Sequence, residues 1–360
     1  MLDFLFMINK FLVKKILLSF FSKLGFLKYL HWKNRHKICV LMLHGVMDND
    51  HKASWNPLRP QLSPHELKRT LTILSEFYQF ITVDQAVGII EGKVPVIKNA
   101  MLITLDDGYR NNLDYALPIF GSFGIKPVLF VVTGNVDSGL PFMVDRLDYA
   151  LQQHLGNSLS INYAGKLYEF DTRSRKSLQK SYKYFRDDCK DKFFDDIKMN
   201  QLFNRLAEII EKKSGKSLQN ICQNDDWSAL VSWEMLRKET KEGNLDVASH
   251  TVEHLRLDRI DELNILSQLK KSKLRIEQEL EIKCNYFCYP NGSYNDLSIK
   301  KLKEAGYRAA FTTDVGMCSV NDEKMTLKRF NFPANKNENE LLYLLNRSSF
   351  FRSKAKCINC

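Results

Sequence analysis

Short apolar runs of strand length alternate along this chain with stretches of helical periodicity. Residues 37–44, 100–107 and 126–133 are rich in Val, Leu, Ile, Phe and Met, and such runs are typical of buried strands. Further strands are predicted at 245–250, 285–289, 309–313 and 328–332, and helices at 64–77, 112–123, 260–280 and 296–304. This alternation favours parallel strands joined by crossover helices, and 360 residues are enough to close them into a barrel.

Residues 135–232 interrupt this alternation. They are rich in Lys, Asp, Ser and Phe, have mostly helical periodicity and contain no long apolar strand. We therefore predict a mostly helical insertion or lid over the mouth of the barrel. The predicted domains are a basic apolar helical segment at 1–35, the barrel at 36–350 interrupted by the insertion at 135–232, and a basic tail at 351–360.

The formal net charge of +11 is concentrated at the amino terminus, where residues 1–37 carry eight basic side chains and one acidic one. Many large apolar residues lie between these charges and would lower solubility if exposed to water. The uncharged stretches are too short to cross a bilayer, and no signal-peptide cleavage site follows them. We expect an amphipathic helix in the membrane interface, with lysines facing anionic headgroups. Docking onto the protein's own body or another subunit, or an uncleaved anchor, are the alternatives.

Two further features of the composition bear on location. The eight cysteines have no regular spacing, so free thiols in a reducing compartment are expected. The positive charge lies in an apolar context rather than a polar groove, which favours a membrane surface over nucleic acid. We therefore expect a cytoplasmic protein, peripheral on the inner face of the membrane, with no nucleic-acid partner.

Three short motifs follow predicted strands, at the strand ends where barrel enzymes keep their active sites. They are 104–108 (TLDDG), 249–254 (SHTVEH) and 287–292 (FCYPNG). His250 and His254 can bind one divalent metal if the chain turns helically between them. Taken singly, an Asp-Asp-Gly is more often a solvated turn, a spaced histidine pair more often a surface or packing pair, and a Pro-Asn-Gly sequence indicates only a tight turn.

Together, in this order, the motifs resemble those of the polysaccharide deacetylase family, the NodB-homology carbohydrate esterases of family 4. The segments 44–46 (HGV), 106–117 (DDGYRNNLDYAL) and 306–313 (GYRAAFTT) are also similar to that family. The resemblance covers roughly 38–134 and 233–333. It implies an α/β fold, a distorted (β/α)7 barrel of TIM-like type, here with a mostly helical insertion and an N-terminal amphipathic helix.

The resemblance also implies a metal site. Asp107, His250 and His254 would bind a divalent metal, which is usually zinc in this family although some members use other divalent ions. Asp106 would be the general base that takes a proton from the attacking water. Because a bound metal lowers the pKa of water, a carboxylate of ordinary basicity is sufficient for this step.

The third motif would contact the substrate through Tyr289, Pro290 and Gly292, with the backbone N–H of Tyr289 holding the oxyanion. Many family members place their catalytic acid, a histidine, near the C-terminus, but no histidine follows His254 in this chain. A circularly permuted branch that acts on poly-N-acetylglucosamine supplies this histidine from the first strand, and His44 stands at that place. The alternative is that His44 only caps the strand.

The sequence departs from the family pattern at three positions. Leu105 replaces a phenylalanine, Tyr109 replaces a proline, and no arginine precedes Tyr289. The missing arginine leaves open which group orients Asp106, and Arg329 and Arg110 are the candidates.

The expected function is metal-dependent hydrolysis of a non-peptide carbon–nitrogen bond, the N-acetyl amide of an amino sugar. The substrate would be an N-acetylated glycan: a polysaccharide, an oligosaccharide or a lipid-linked precursor. A deformylase or a glycan O-acetyl esterase would use the same residues, so these stay open. A non-catalytic, membrane-associated glycan-binding protein would require a broken site, whereas Asp106, Asp107, His250 and His254 are all present.

Overall fold

The structure is a computed structural model that describes residues 18, 20, 22–47, 55–156 and 158–347. Most of the predicted membrane-facing segment 1–35 and all of the tail 351–360 therefore lie outside the described residues. Within the described ranges no helix combines the length and the apolar character that a bilayer crossing needs.

The elements alternate along the chain much as the pattern predicts. The strands are β1 (Cys39–Leu43), β2 (Gln79–Phe80), β3 (Ala100–Leu105), β4 (Val128–Val131), β5 (Ser158–Tyr163), β6 (Lys166–Asp171), β7 (Asp246–Ser249), β8 (Tyr286–Cys288), β9 (Ala309–Phe311) and β10 (Phe330–Asn331). The α-helices up to the end of the insertion are α1 (Phe26–Asn34), α2 (Pro64–Ser75), α3 (Val83–Ile90), α4 (Leu117–Ser122), α5 (Thr133–Ser138), α6 (Met143–Gln152), α7 (Arg175–Lys192) and α8 (Asp196–Ser214). They are followed by α9 (Trp233–Lys241), α10 (Glu262–Leu280), α11 (Asp296–Glu304) and α12 (Glu338–Asn346).

The main sheet has the order β10-β1-β3-β4-β7-β8-β9, all neighbours are parallel, and β2 pairs with β3 outside this path. A bridge between Phe311 and Leu327 brings the end of β9 to the segment just before β10. The sheet is therefore curled into a distorted TIM-like barrel surrounded by helices, which confirms the predicted fold class. Because the strands are parallel, their carboxyl ends meet at one edge.

The strand residues are buried on both faces, as parallel sheets require. One set, including Leu41, Ile103 and Phe287, belongs to a core shared with the surrounding helices. The alternate set, including Val40 and Cys288, fills the interior of the barrel. This burial on both faces explains why these strands are near-continuous apolar runs in the sequence.

The insertion is mostly helical, as predicted, but it also contains the antiparallel hairpin β5–β6. The turn of this hairpin is formed by Ala164 and Gly165, both with positive φ (51° and 75°). Turns of this type are usually Asn-Gly or Asp-Gly, so the alanine concealed the hairpin in the sequence. The insertion has an apolar core of its own, in which Leu147, Phe170 and Leu206 are buried.

The helix predicted at 112–123 is broken into two parts. Asn112–Ala116 is a π-helical turn, and α4 begins only at Leu117. Pro118 in the first turn of α4 has no backbone N–H to donate, and this missing donor accounts for the change in hydrogen bonding.

The described end of the amino-terminal segment packs on the protein's own body. Leu27 of α1 and Leu342 of α12 are buried against each other, and Asn34 Nδ2 donates to the carbonyl of Asn346 at 2.9 Å. This contact corresponds to one of the alternatives for the segment, docking onto the body, at least for its last turns.

Candidate active site

The carboxyl ends of β1, β3, β7 and β8 form one edge of the barrel, which we call the catalytic edge. His44 follows β1, Asp106 and Asp107 follow β3, and His250 and His254 follow β7. All five line one cavity of about 560 Å³. The parallel register therefore brings together residues that lie far apart in the chain.

Asp107, His250 and His254 converge on one point. Asp107 Oδ1 lies 3.6 Å from His250 Nε2 and 3.5 Å from His254 Nε2. One ligand atom from each residue lies within 4.8 Å of the others, and this arrangement suits a single cation. Asp107 Oδ1 is also buried without a hydrogen-bond partner among the described residues. An unsatisfied buried carboxylate oxygen facing two imidazoles fits a divalent metal of the zinc type.

The protonation states agree with metal binding. Burial alone would raise the pKa of Asp107, but the nearby His254, His44 and His250 hold it well below its usual value. Burial, reinforced by His254, lowers the pKa of His250 to about 4. Asp107 is therefore ionised and His250 neutral at pH 7, as metal ligands must be. His250 Nδ1 donates to the carbonyl of Cys288 at 2.7 Å, which leaves Nε2 facing the site.

The backbone is strained where these ligands lie. Asp107, Thr251 and His254 have φ values of 79°, 72° and 56°, in the left-handed region that residues other than glycine rarely adopt. Strain of this kind is concentrated at functional sites, where the surrounding structure enforces it. Here it turns the chain sharply at the strand ends, so that the side chains face the cavity.

Asp106 is held by Arg329, the first of the two arginines considered from the sequence. The guanidinium is fully buried and donates to Asp106 through Nη1–Oδ1 and Nη2–Oδ2, both at 2.8 Å. Its other donors reach the Thr104 hydroxyl at 2.9 Å and the Thr312 carbonyl at 2.8 Å. Arg110 instead pairs with Asp114 at 3.1 Å.

This fork sets the charge of Asp106. Burial raises the pKa of the carboxyl, but Arg329, together with His250 and His44, outweighs burial and holds that pKa below its ordinary value. Cys288 occupies the position before Tyr289 where the family has arginine, and its Sγ lies 3.0 Å from Arg329 Nη2. Arg329, which directly precedes β10, thus pairs with Asp106, while the third motif contributes the thiol of Cys288 instead of an arginine.

His44 is half-buried in the wall of the same cavity. Burial lowers its pKa, while the negative charges of Asp107 and Asp106 act in the opposite direction. The next residue, Gly45, packs against Trp227 so closely that a Cβ atom there would lie 2.7 Å from the indole ring. A glycine is therefore required beside His44.

The third motif differs in one respect from the expectation. The backbone N–H of Tyr289 donates to the carbonyl of Phe311 at 3.0 Å, so in this structure it belongs to the sheet and does not point into the cavity. The hydrogen bonding between β8 and β9 therefore continues to Tyr289, one residue beyond the end of β8. Gly292 has φ 65°, and a Cβ atom there would overlap Thr313 Oγ1, which explains why a glycine stands two residues after Pro290.

The sequence interpretation missed Arg59, and it named no residue of the insertion that lines the cavity. Arg59 lines the cavity with a side chain only 12% exposed, pairs with Asp145 at 2.8 Å and lies 4.9 Å above the ring of Trp227. No local motif marks it, because its partners are distant in the chain. The insertion is joined to the catalytic edge by the buried pair of Arg256 and Asp196, at 2.6 Å.

Comparisons with known proteins agree with the resemblance found in the motifs. The family model described as polysaccharide deacetylase matches residues 192–310. YxkH of Bacillus subtilis (strain 168), whose name assigns it to the polysaccharide deacetylases, is 27% identical over 92 residues. That match covers 26% of this chain and 33% of YxkH, so the chain spans about a third of this curated relative.

Two solved structures share the fold over most of the chain. The Streptococcus pyogenes deacetylase PplD, solved in complex with acetate, has a TM-score of 0.55 and 17% identity and covers 86% of this chain and 99% of its own. IcaB from Ammonifex degensii has a TM-score of 0.54 and 15% identity, over 86% of this chain and 97% of its own. The family model and YxkH confirm the resemblance to the polysaccharide deacetylases, and the two solved structures show the shared fold. The circularly permuted branch remains an expectation.

Proposed function

From this resemblance to the polysaccharide deacetylases we infer that the protein is a metal-dependent hydrolase that removes the acetyl group from an N-acetylated amino sugar. One observation carries the proposal: Asp107, His250 and His254 converge on one point, with Asp106 and His44 in the same cavity wall. Two imidazoles and one carboxylate are a common ligand set of catalytic zinc, and they leave a position open for substrate or water.

The chemistry divides among these residues. A divalent metal, when bound, supplies positive charge that polarises water and the acetyl carbonyl. Asp106, oriented by Arg329, takes a proton from the water whose oxygen attacks the acetyl carbon. The carbon–nitrogen bond then breaks, and the leaving amine takes a proton from His44. Burial lowers the pKa of His44 and so favours release of this proton, while Asp107 and Asp106 favour the charged imidazole that carries it.

The test is release of acetate from N-acetylated amino sugars by zinc-loaded protein. We expect Asp106→Asn to lose at least about a thousandfold in kcat, because the base is removed. Asp114→Asn is the matched control, since this carboxylate lies in the same segment but pairs with Arg110 outside the cavity. If Asp106→Asn releases acetate as fast as the unchanged protein, the proposal is wrong. Release of formate alone would instead indicate a deformylase, and release of O-linked acetate alone would indicate an O-acetyl esterase.

We further propose that the amino-terminal segment attaches the protein to the inner face of an anionic membrane. In α1 and the turn before it, Leu24, Tyr29 and Trp32 are 66%, 53% and 56% exposed, although each is large and apolar. Lys28 and Lys33 lie on the same short helix. Exposed Trp and Tyr beside lysines are typical of helices in the headgroup region.

Cosedimentation with vesicles tests this attachment. We expect binding to vesicles of phosphatidylcholine with phosphatidylglycerol, and weaker binding when Tyr29→Ser and Trp32→Ser are combined. Tyr184→Ser is the matched control, because Tyr184 is an aromatic side chain, 73% exposed, on the insertion. Equal binding of the double variant and the unchanged protein would contradict the proposal.

A further inference from the structure

The insertion contributes two basic side chains to the wall of the active-site cavity. Arg186 and Lys190 lie one helical turn apart on α7, and both line the cavity that contains His44 and the metal-binding set. Neither residue belongs to a motif of the catalytic edge. They are therefore basic groups in the cavity wall that the proposed reaction does not use.

Lys190 is fixed at the edge of the site by its contact with the third motif. Its Nζ lies 2.7 Å from the Oδ1 of Asn291, which is the neutral residue between Pro290 and Gly292. Asn291 is held in the left-handed region, with φ 54°. Helix α7 thus places a cationic group against the turn after β8, in the wall of the cavity that contains the metal-binding set.

The backbone of Lys190 is held by a hydrogen bond from Arg256. Arg256 Nη1 donates to the carbonyl of Lys190 at 2.8 Å, and Arg256 Nη2 pairs with Asp196 Oδ1 at 2.6 Å. Both members of this pair are buried. The cationic wall is therefore a built part of the cavity, unlike a lysine on a freely exposed helix.

The local field at Lys190 is positive. Its pKa is lowered to about 7, first by burial and then by the guanidinium groups of Arg186 and Arg256. The carboxylates of Asp187 and Asp196 raise the pKa by less. An anion placed next to Lys190 would relieve the repulsion among these three cations and would be held by charge-assisted hydrogen bonds.

We propose that Lys190 and Arg186 bind a phosphate group of the substrate, so that the enzyme acts on a phosphorylated N-acetylated sugar. This inference rests on the proposed deacetylase function and adds the substrate class to it. A phosphate carries more than one negative charge and accepts from both lysine and arginine, which matches two cations one turn apart. A cavity of about 560 Å³ is also of the size that small-molecule sites have.

Kinetics with paired substrates test this inference. A nucleoside-diphosphate N-acetylhexosamine is compared with a neutral N-acetylated chito-oligosaccharide, using zinc-loaded protein. We expect Lys190→Gln to raise KM for the diphosphate sugar about tenfold or more, with little change for the neutral one. Lys190→Arg should retain most of the affinity, because it retains the charge.

Two features separate phosphate binding from a structural role. Glutamine at 190 keeps an N–H donor, on a side chain one bond shorter, and removes the charge. Loss of a purely structural contact would affect both substrates alike, whereas loss of a phosphate-binding charge would affect only the diphosphate sugar. Lys183→Gln removes a charge from the same helix at a position 63% exposed and paired with Asp187, and it should leave both KM values unchanged. An equal effect of Lys190→Gln on both substrates, or no effect on either, would overturn the inference.

Binding measurements keep this result distinct from the deacetylase proposal. If the diphosphate sugar binds in a Lys190-dependent way but no acetate is released, the phosphate site stands and the proposed reaction fails. If the neutral sugar is deacetylated and Lys190→Gln changes nothing, the reaction stands and the phosphate site fails. Repeating the comparison with a polyprenyl-diphosphate N-acetylhexosamine shows whether a nucleotide or a lipid carries the phosphate.

Discussion

The catalytic edge and the insertion meet at one cavity, but they position their side chains in different ways. On the catalytic edge, Asp106, Asp107 and His250 come directly after buried parallel strands and are themselves buried. On the insertion, Lys190 is only half-buried and lies on a helix whose sequence is mostly polar. A few long-range contacts, above all Arg256 with Asp196, place that helix over the site.

Under the proposed function, this difference separates the residues that carry out the reaction from those that select the substrate. The groups proposed to react are fixed by the register of the sheet, whose close packing tolerates little movement. The walls that contact the rest of the substrate come from a region attached through individual ion pairs. We therefore expect substitutions on the catalytic edge to abolish activity, and substitutions at the insertion to change which substrate is bound.

The largest expected effect is on the metal site. Asp107→Ala should abolish binding of one equivalent of zinc and lower kcat by at least about a thousandfold, because it removes an ionised ligand. Metal content is measured by atomic absorption after gel filtration. Cys288→Ala is the matched control, since Cys288 forms a second possible ligand set with Asp106 and His250. Retention of zinc in Asp107→Ala and its loss in Cys288→Ala would reverse the assignment.

A smaller but still large effect is expected at Arg329. Arg329→Met leaves the buried carboxylate of Asp106 without its partner, so the free energy of unfolding should fall by about 3–5 kcal/mol at neutral pH. Urea unfolding monitored by circular dichroism measures it. Arg110→Met, whose guanidinium lies outside the cavity, should change stability by less than about 1 kcal/mol.

The difference in the free energy of unfolding between the unchanged protein and Arg329→Met should depend on pH in a definite direction. In the unchanged protein the pKa of Asp106 is lowered by Arg329, so the pair stabilises the fold above the ordinary carboxyl pKa and loses this effect as the pH falls through the lowered value. In Arg329→Met the lowering by Arg329 is lost, so burial raises that pKa against only His250 and His44, and acid relieves the buried charge. The stability difference between the two proteins should therefore narrow as the pH falls. A difference that is constant with pH would contradict the pairing.

The smallest effect on stability is expected at the contact between Gly45 of the catalytic edge and Trp227 of the insertion. Gly45→Ala places a Cβ atom 2.7 Å from the indole of Trp227, so either His44 or Trp227 must move, at a cost of about 1–3 kcal/mol. Trp227→Leu in the same chain should recover part of this loss, as measured by urea unfolding and kcat. Gly121→Ala, where no atom lies within 4 Å, should be neutral or slightly stabilising. Additive effects of Gly45→Ala and Trp227→Leu would show that the two positions are not coupled.

The same contrast explains what the sequence could predict. The barrel followed from the strand patterns, and the possible pairing of His250 with His254 followed from their spacing after a strand. The addition of Asp107 to this ligand set came from the resemblance to a known family. Arg329 could be named only as one of two candidates, because its pairing with Asp106 depends on the closure of the barrel across 223 residues of sequence.

The missed features depend on contacts that leave no local pattern. Arg59 is fixed by Asp145 and Trp227, and Lys190 by Asn291, all distant in the chain. The N–H of Tyr289 was expected to face the substrate, but the pairing of β8 with β9 engages it. Metal identity, glycan type and membrane attachment remain predictions.

The central claim is that Asp107, His250 and His254 bind one catalytic cation. The most direct measurement is anomalous diffraction at the zinc edge from crystals of the zinc-loaded protein. We predict one strong peak with the Asp107 carboxylate and the Nε2 atoms of His250 and His254 at about 2.0–2.2 Å. A peak bound instead by Asp106, His250 and Cys288, or no peak in this cavity, would contradict the account.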